Sequence, residues 1–274
     1  MTPRYQEFAV GAALAAHVDR LWSFEASEDG DEQAIPPDGR AELIVHRGAP
    51  YQERGGDGRW QTQPSLLFAG QLTRPLVLRS CGAVDVLAAR FTPAGAWAFA
   101  GRSMADCNDR RIAIAKLHGA TAARSLAASI AAARDAKTAR TALADYVARR
   151  IAISHGRRDA AVERCVDRLY ASEGRVALAE LCALAGVGER QLQRRFAEVV
   201  GIAPRTLAVV VRLRRVFDAL RDAPWSTWSE RAQAAGFFDH PQMARDFRRL
   251  LGRAPSDWAK RRGGIATSLV EGAG

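Results

Sequence analysis

The sequence predicts an α+β protein of two domains, a strand-rich N-terminal domain and an all-helical C-terminal domain. Three observations predict this division. Short apolar runs separated by turn residues extend from Tyr5 to Phe91. Helical periodicity continues almost without interruption from Ala160 onward. Within that helical part, one segment recurs at an offset of 51 residues.

The N-terminal apolar runs have the length of β-strands. They cover residues 41–45, 65–69, 74–78 and 84–88, and turn-forming residues separate them. The segment Gly55-Gly56-Asp57-Gly58 is typical of a hairpin tip. This pattern predicts an antiparallel sandwich or small barrel. A helix is expected next, with Thr92 as its cap and Pro93 at its first position.

Two helices rich in Ala and Arg are predicted between residues 119 and 153. Their apolar side chains are spaced by four residues and form the stripes Leu126 and Ile130, and then Leu143, Val147 and Ile151. Such a stripe packs against the sheet or forms a dimer interface, and the pattern leaves both open. The polar segment His155–Arg158 breaks the periodicity and is predicted to link the domains.

The C-terminal helices follow in a regular order. The periodicity predicts helices over residues 160–170, from about 176 to 185, over 191–200 and over 207–220, with Gly186-Val187-Gly188 as a turn. In the second half, Trp225, Trp228 and Ala232 are expected to form a supporting helix, and Gly236–Asp239 a turn. Asp239 is predicted to cap a helix that begins at His240.

The repeat is carried by Gln193–Pro204 and Ala244–Pro255, in which Arg, Phe, Gly, Ala and Pro recur in register. Each copy follows a short apolar helix and a glycine-containing turn, which is the order of a helix-turn-helix. The inner stripes are Leu192, Phe196 and Val199 in one copy and Met243, Phe247 and Leu250 in the other. The outward positions include Arg190, Gln193, Arg194, Ala197, His240, Gln242, Ala244, Arg245 and Arg248. The pattern therefore indicates two helices that present arginine to DNA.

The segments Gly186–Phe196 and Gly236–Phe247 resemble the DNA-binding domain of the AraC/XylS family of bacterial transcription regulators. The resemblance covers residues 160–260 and implies two helix-turn-helix units, held by one linking helix, that enter successive major grooves. The base-reading positions of the family match Arg190, Gln193, Arg194, His240, Pro241 and Arg245. Pro241 stands where the family often has a small polar residue, so the contact there is expected to be apolar or absent.

Further DNA contacts are expected around those positions. Gln242 is assigned to base reading with the six residues above. Contacts to DNA phosphates are assigned to Arg195, Arg212, Arg215, Arg248 and Arg249. For Arg212 and Arg215, simple solvation is an equal alternative.

The N-terminal half is similar to a poorly characterised sensor-type domain that precedes AraC-type DNA readers. The resemblance is carried by Ile35–Ile44, Gly70–Leu76 and Arg90–Ala96. It implies a cupin-like barrel with a helical annex and indicates no particular ligand. The expected domains are thus residues 1–155, which sense or dimerise, residues 156–262, which bind DNA, and a flexible tail over residues 263–274.

The charge distribution agrees with a polyanionic partner. The net charge is +10, and residues 157–274 carry 21 Lys and Arg against 14 Asp and Glu. The four cysteines, Cys81, Cys107, Cys165 and Cys182, are far apart and lack the spacing of a zinc site. Free thiols and the absence of a signal peptide or long apolar run favour a cytoplasmic, nucleoid-associated protein without a membrane segment.

Other functions are less compatible with the residues. A metal-dependent cupin enzyme needs clustered histidines, and His17, His46 and His118 are isolated. The pair Asp38 and Glu42 could suggest acid–base chemistry, but an Asp beside Gly39 more often caps a turn. Repair by a reactive cysteine needs an activated thiolate, for which the sequence gives no sign.

The sequence therefore predicts a sequence-specific transcription regulator, an activator or repressor, with no enzymatic activity, cofactor or metal. Double-stranded operator DNA is the expected partner, and control is expected through a small-molecule effector or through dimerisation of the N-terminal domain. RNA polymerase and a second copy of the chain are further candidate partners. An architectural DNA-binding protein without an effector is the alternative.

Overall fold

Two antiparallel sheets form the N-terminal half of the chain. The computed structural model describes residues 3–27, 30–222 and 225–259. Within these residues, the larger sheet has the strand order β1-β2-β9-β4-β7-β10 and the smaller one β3-β8-β5-β6. The strands are β1 Arg4–Phe8, β2 Val18–Ala26, β3 Gln33–Ile35, β4 Glu42–His46, β5 Gln52–Arg54, β6 Trp60–Thr62, β7 Leu66–Ala69, β8 Leu76–Arg79, β9 Val84–Phe91 and β10 Arg111–Ala113.

The central strand β9 shows how the larger sheet is covered on both faces. Val86 and Ala88 pack in one apolar cluster with Leu78 of the smaller sheet and with Tyr51, which precedes β5. Leu87, Ala89 and Phe91 point to the opposite face and pack with helices. Because strand side chains alternate between faces, a strand buried on both sides reads as one continuous apolar run. The predicted runs became β4, β7, β8 and β9, and the predicted hairpin tip joins β5 to β6.

Four helices cover the outer face of the larger sheet. They are α1 Ala96–Ala100, α2 Ile114–His118, α3 Ala120–Ala131 and α4 Ala136–Ile153. Leu126, Leu143, Val147 and Ile151 are buried in one cluster with sheet residues such as Phe91. The apolar stripes of α3 and α4 therefore pack internally, which settles the two alternatives left open by the sequence in favour of the sheet.

The start of α1 differs from the prediction. The helix begins at Ala96 after Gly95, and Thr92 makes no cap hydrogen bond to it. The Thr92 hydroxyl instead lies 3.3 Å from the carbonyl oxygen of Ala16. A side chain at Gly95 would collide with the backbone of His17. The close approach of this distant segment, which the local sequence does not reveal, delays the helix by one turn.

Seven helices form the C-terminal half within the described residues. They are α5 Ala160–Ala171, α6 Leu178–Ala185, α7 Glu189–Val199, α8 Pro204–Asp222, α9 Trp228–Ala234, α10 His240–Leu251 and α11 Pro255–Ala259. The predicted linker forms the turn between α4 and α5, where His155 and Gly156 have φ angles of 54° and 60°. The predicted tail, residues 263–274, lies outside the described residues.

Helix α8 joins two separate cores. Leu207, Ala208 and Val211 pack with residues of α5, α6 and α7. Val209, Leu213 and Val216 pack with residues of α9 and α10. One helix therefore fixes both halves of the C-terminal domain. Trp225 was predicted to form part of the supporting helix, and this was wrong. It precedes α9 and is 83% exposed.

Candidate DNA-binding surface

The first helix-turn-helix consists of α6, a glycine turn and α7. Gly186 ends α6 with a φ of 67°, in the left-handed region that suits glycine. Helix α7 then begins at Glu189 and buries Leu192, Phe196 and Val199. The inner stripe leaves the opposite side in solvent, where Arg190, Gln193 and Arg194 are exposed. All three base-reading residues assigned to this copy therefore lie on one outer face of α7.

The second helix-turn-helix consists of α9, the turn at Gly236 and α10. The Asp239 carboxylate caps α10 and accepts a hydrogen bond of 2.6 Å from the backbone N–H of Gln242. Pro241 occupies the first turn of the helix, where a missing N–H has no consequence. Met243, Phe247 and Leu250 are buried. The outer face carries exposed Pro241, Arg245 and Arg248 and partly exposed His240.

The two helices are in register, and their outer faces share one arginine position. Helix α7 begins at Glu189 and α10 at His240, so the offset of 51 found in the sequence is kept in the structure. Arg194 and Arg245 occupy the same position in their helices, and both are exposed. Because each helix buries the equivalent stripe, the two arginines stand in equivalent places on two similar units.

Four arginines of this surface have free guanidinium groups. Across residues 3–27, 30–222 and 225–259, Arg190, Arg194, Arg245 and Arg248 make no hydrogen bond or ion pair through their side chains. Exposed arginine without an acidic neighbour is available to a phosphate or a guanine edge. These four side chains form what is named here the free arginine set.

Arg195, assigned above to phosphate contact, forms an ion pair within the protein. Its guanidinium faces Asp159 and donates two hydrogen bonds to that carboxylate, the one from Nε being 2.7 Å long. Asp159 also caps α5 by accepting from the backbone N–H groups of Ala161 and Val162. Burial raises the pKa of Asp159, but Arg195 and the capping amides outweigh it, so the pKa lies below its ordinary value. Arg195 thus connects α7 to α5, and a DNA phosphate would have to compete with Asp159 for its guanidinium.

Arg212 is also engaged inside the protein. Its guanidinium carbon lies 4.9 Å from the ring centroid of Phe237, in a cation–π contact between α8 and the second unit. Burial lowers the pKa of Arg212. The position of α8 between the two cores, which sequence spacing does not reveal, places this partly buried side chain against the second unit.

Other assigned residues have one intramolecular partner and remain partly exposed. Arg215 Nη1 lies 2.7 Å from Glu173 Oε1, and Arg249 Nη2 lies 3.0 Å from Asp246 Oδ1. The Gln242 side chain accepts a hydrogen bond of 2.9 Å from the N–H of Phe238, so its oxygen is occupied. Gln193 donates to Glu189 over 2.9 Å. These contacts fix side-chain positions and compete with DNA for the same groups.

Two residues of the second unit lie where the sequence did not place them. Ala244 was expected to face DNA, but it is only 6% exposed. Phe238, in the turn before Asp239, is 93% exposed at the entrance of α10. Sequence reasoning treated Phe238 as an ordinary turn residue. The available signal was the pair of adjacent phenylalanines in one turn, of which only Phe237 is buried.

A different feature lies between the sheets and α8. A cavity of about 90 Å³ extends between the two sheets as far as Arg214 and Phe217 of α8. A second cavity of about 290 Å³ adjoins it at the junction with the C-terminal half. Arg90 and Arg214 line both cavities. Sequence reasoning assigned no role to either arginine.

Asp38 and Glu42, considered above for acid–base chemistry, border these cavities. Asp38 accepts a hydrogen bond of 3.1 Å from the backbone N–H of Arg40, as expected for a residue that caps the turn at Gly39. It also forms an ion pair with the guanidinium of Arg90. Glu42 accepts a hydrogen bond of 3.0 Å from Trp22 Nε1. Both carboxyls therefore have structural partners.

Within the described residues, no cluster of three or more His, Cys, Asp or Glu side chains has the arrangement of a metal site. None of the helices described is both long enough and apolar enough to cross a membrane.

Comparisons with known proteins give separate matches for the N-terminal and C-terminal parts of the chain. A domain of unknown function (DUF6597) matches residues 6–113, and a helix-turn-helix domain matches residues 181–261. Among solved structures, a probable AraC family transcriptional regulator from Rhodopseudomonas palustris CGA009 is 30% identical over 38% of this chain and 97% of its own, with a TM-score of 0.34. ToxT from Vibrio cholerae is 11% identical over 95% of this chain and 99% of its own, with a TM-score of 0.46. No match was found among curated proteins.

Proposed function

The chain belongs to the AraC family of DNA-binding transcription regulators, and we propose that it recognises a specific operator through both α7 and α10 under the control of a small molecule. The proposed role is binding rather than catalysis. The observation that carries the operator proposal is the free arginine set, because two of its members, Arg194 and Arg245, are equivalent in two similar helices.

Each recognition helix has the chemistry for direct base reading. An arginine guanidinium donates two parallel hydrogen bonds to the O6 and N7 atoms of guanine, which distinguishes that base from the other three. We assign this contact to Arg194 and Arg245, with Arg190, Gln193, His240 and Pro241 beside them. The oxygen of Gln242 is held by Phe238, so its amide N–H groups are what it offers to a base. These contacts would be made in the major groove.

The length of α8 supports simultaneous binding of both helices. It contains 19 residues, which corresponds to about 28 Å at 1.5 Å per residue. One turn of B-DNA repeats every ~34 Å, so a helix of this length and its flanking turns separate two units by nearly one turn. Since α8 is packed into both cores, we expect the spacing to be set by the protein and not by the DNA.

Phosphate contacts would add affinity without sequence preference. Arg248 belongs to the free arginine set and lies one helical turn after Ala244 on α10. Arg215 and Arg249 are exposed but paired with acidic side chains, so DNA would have to displace those partners. The charge excess of residues 157–274 favours this kind of association.

Control by an effector is the second part of the proposal. Ligand sites in proteins are usually cavities of about 300 Å³ or more. The space between the sheets is smaller, at about 90 Å³, whereas the adjoining cavity of about 290 Å³ lies at the junction of the two halves. This junction, rather than the interior of the sheets alone, is the proposed location of the effector.

Selection of bound sequences from a random pool of DNA duplexes tests the operator proposal. The full chain is expected to enrich one motif with two conserved blocks about ten base pairs apart. A chain with both Arg194→Ala and Arg245→Ala is the matched control, and it should enrich no guanine in either block. A protein that binds DNA without sequence preference would recover duplexes with no enriched motif, and that result would favour the architectural alternative.

A further inference from the structure

The buried guanidinium of Arg90 has donors without acceptors. Arg90 lies on β9 and is 2% exposed. One of its terminal nitrogens pairs with Asp38, and its Nε is 3.6 Å from Glu42 Oε1, beyond hydrogen-bond distance. In the part of the chain that the structure describes, Nε and Nη1 make no hydrogen bond. Leaving such donors unpaired in the interior is unfavourable, and a bound acceptor would remove that cost.

The surroundings of Arg90 favour an anion as that acceptor. Arg214 of α8 borders the same cavities, and the carboxyls that border them are Asp19, Asp38, Glu42, Glu173 and Asp218. Burial raises the pKa of Glu42 to about 7, which weakens the negative charge that this carboxyl presents to Arg90. Burial also lowers the pKa of Arg90 to about 10, which leaves the guanidinium charged. The Arg90 guanidinium therefore has Asp38 as its close partner, while its Nε and Nη1 donors stay available to a further acceptor such as a carboxylate.

The rest of the cavity between the sheets is apolar. Its walls include Trp22, Ile35, Leu76, Leu78 and Phe217. His46 borders it as well, and burial lowers the pKa of His46 to about 4, so this imidazole is neutral. A ligand that fits would thus have a charged group near Arg90 and an apolar body directed between the sheets.

We propose that these adjoining cavities bind a small organic carboxylic acid, whose carboxylate accepts hydrogen bonds from Arg90 and lies near Arg214. An apolar cavity of about 150 Å³ accommodates a benzene ring. The space between the sheets, about 90 Å³, therefore holds part of a ring or a short alkyl chain, and the rest of the ligand occupies the adjoining cavity of about 290 Å³. The inference deepens the proposed control by an effector and names the chemical class of that effector.

Helix α8 connects this site to the DNA-binding units. Arg214 and Phe217 border the cavity, while Leu213 and Val216 of the same helix lie in the core of the second unit. A ligand between the sheets therefore contacts the helix that fixes α10 relative to α7. Operator affinity changes by the difference in the ligand's affinity for the two arrangements of α8, and by no more than that.

Binding of benzoate and hexanoate to the full chain tests the proposal. Trp22 in the cavity wall provides an intrinsic fluorescence signal, and titration calorimetry gives the affinity. At least one of these acids is expected to bind, whereas the matched neutral amides, benzamide and hexanamide, and inorganic sulfate should bind at least about tenfold more weakly. Equal binding of acid and amide, binding of sulfate alone, or no binding by either acid overturns the proposal.

Substitutions locate the site. Arg90→Gln is expected to weaken the acid by about tenfold or more, and Arg214→Gln, on the exposed side of the site, by a smaller factor. Arg205→Gln, on the same helix but outside the cavities, is the matched control and should bind as the native chain does. If Arg90→Gln fails to fold, the affinity of Arg214→Gln for the acid tests the location of the site. An affinity equal to that of the native chain would contradict the assigned site.

The same preparation separates this inference from the proposed function. If the chain binds an operator selectively but neither acid binds to it, the operator proposal stands and the ligand proposal is overturned. If an acid binds but the chain selects no operator, the ligand proposal stands and the operator proposal is overturned. An acid that binds and changes operator affinity supports both.

Discussion

The neighbouring arginines of α7, Arg194 and Arg195, provide the sharpest test of the DNA-binding surface. They are adjacent in sequence and chemically identical, but Arg194 is exposed without a partner, whereas Arg195 is held by Asp159. Replacing each by alanine in separate variants removes the same atoms from the same helix. The structure predicts opposite consequences for DNA recognition and for stability.

For Arg194→Ala, the expected loss is in operator affinity. A bidentate contact to guanine contributes about 1–3 kcal/mol of discrimination, which corresponds to roughly 5- to 150-fold in the dissociation constant. An exposed side chain without contacts contributes little to folding, so the free energy of unfolding should stay within about 0.5 kcal/mol of the native value. A shuffled duplex should lose much less affinity than the operator.

For Arg195→Ala, the expected loss is in stability. Hydrogen bonds to charged groups contribute about 1.5–3 kcal/mol, and the partial exposure of this pair, 30% for Arg195 and 12% for Asp159, reduces that to about 1–2 kcal/mol. The cap of α5 remains, because Asp159 still accepts from the backbone of α5. Operator and shuffled duplex should be affected alike.

Fluorescence anisotropy with the selected and the shuffled duplex, at one fixed salt concentration, measures the first effect, and urea unfolding followed by circular dichroism measures the second. The reasoning is refuted if Arg194→Ala weakens both duplexes equally, or if Arg195→Ala produces the larger loss of discrimination. The same comparison with Arg245→Ala examines the second unit.

Three further predictions concern single side chains. Arg248→Ala should weaken operator and shuffled duplex alike and reduce the salt dependence of log K by about 0.9, and an unchanged slope in a salt titration excludes the phosphate contact. Asp239→Ala should cost about 1 kcal/mol in urea unfolding because α10 loses its cap, whereas Asp239→Asn should restore most of it; equal losses would disprove capping. Burial lowers the pKa of His118 to about 4, and its two ring nitrogens contact the Tyr146 hydroxyl and a backbone carbonyl. As the pH falls, the unfolded chain binds a proton at this imidazole before the folded protein does, so the free energy of unfolding should fall between pH 6.5 and 4. In His118→Gln, the loss of this free energy between pH 7 and pH 5 should be smaller by about 1–2 kcal/mol in unfolding experiments. The same pH dependence in the variant and the native chain would contradict this account.

Much of the C-terminal architecture follows from local sequence. The stripe of Leu192, Phe196 and Val199 is set by helical periodicity, and Gly186 and Asp239 are the residues that turns and caps require. The apolar pattern alone predicted that α8 begins at Leu207, but the helix begins at Pro204. The sequence could have indicated this start, since proline is tolerated in the first helical turn. Fold class and the faces of α7 and α10 therefore needed only short-range information.

The separation of free from engaged arginines needed the tertiary structure. Arg195 differs from Arg194 because Asp159 lies 36 residues earlier and reaches it only after α5 packs on α7. Arg212 is partly buried and contacts the ring of Phe237 in the second unit. Periodicity assigns a helical residue to a face, but the nearest acidic or aromatic partner comes from another element. Which arginines are available to phosphate is therefore decided by the tertiary structure.

The junction of the two halves depends on still longer-range contacts, and it determines how a signal would travel. Arg40 lies 5.4 Å from the ring centroid of Tyr170, and the Asn108 side chain donates a hydrogen bond of 2.6 Å to the carbonyl of Gly201. The first contact holds the sheets to α5, and the second holds the segment after α1 to the turn before α8. Because α8 is anchored at its start in this way and borders the Arg90 cavity further along, a ligand acts on a helix whose beginning is fixed. The freedom that remains is at the second unit, so we expect an effector to change the placement of α10 while α7 keeps its position.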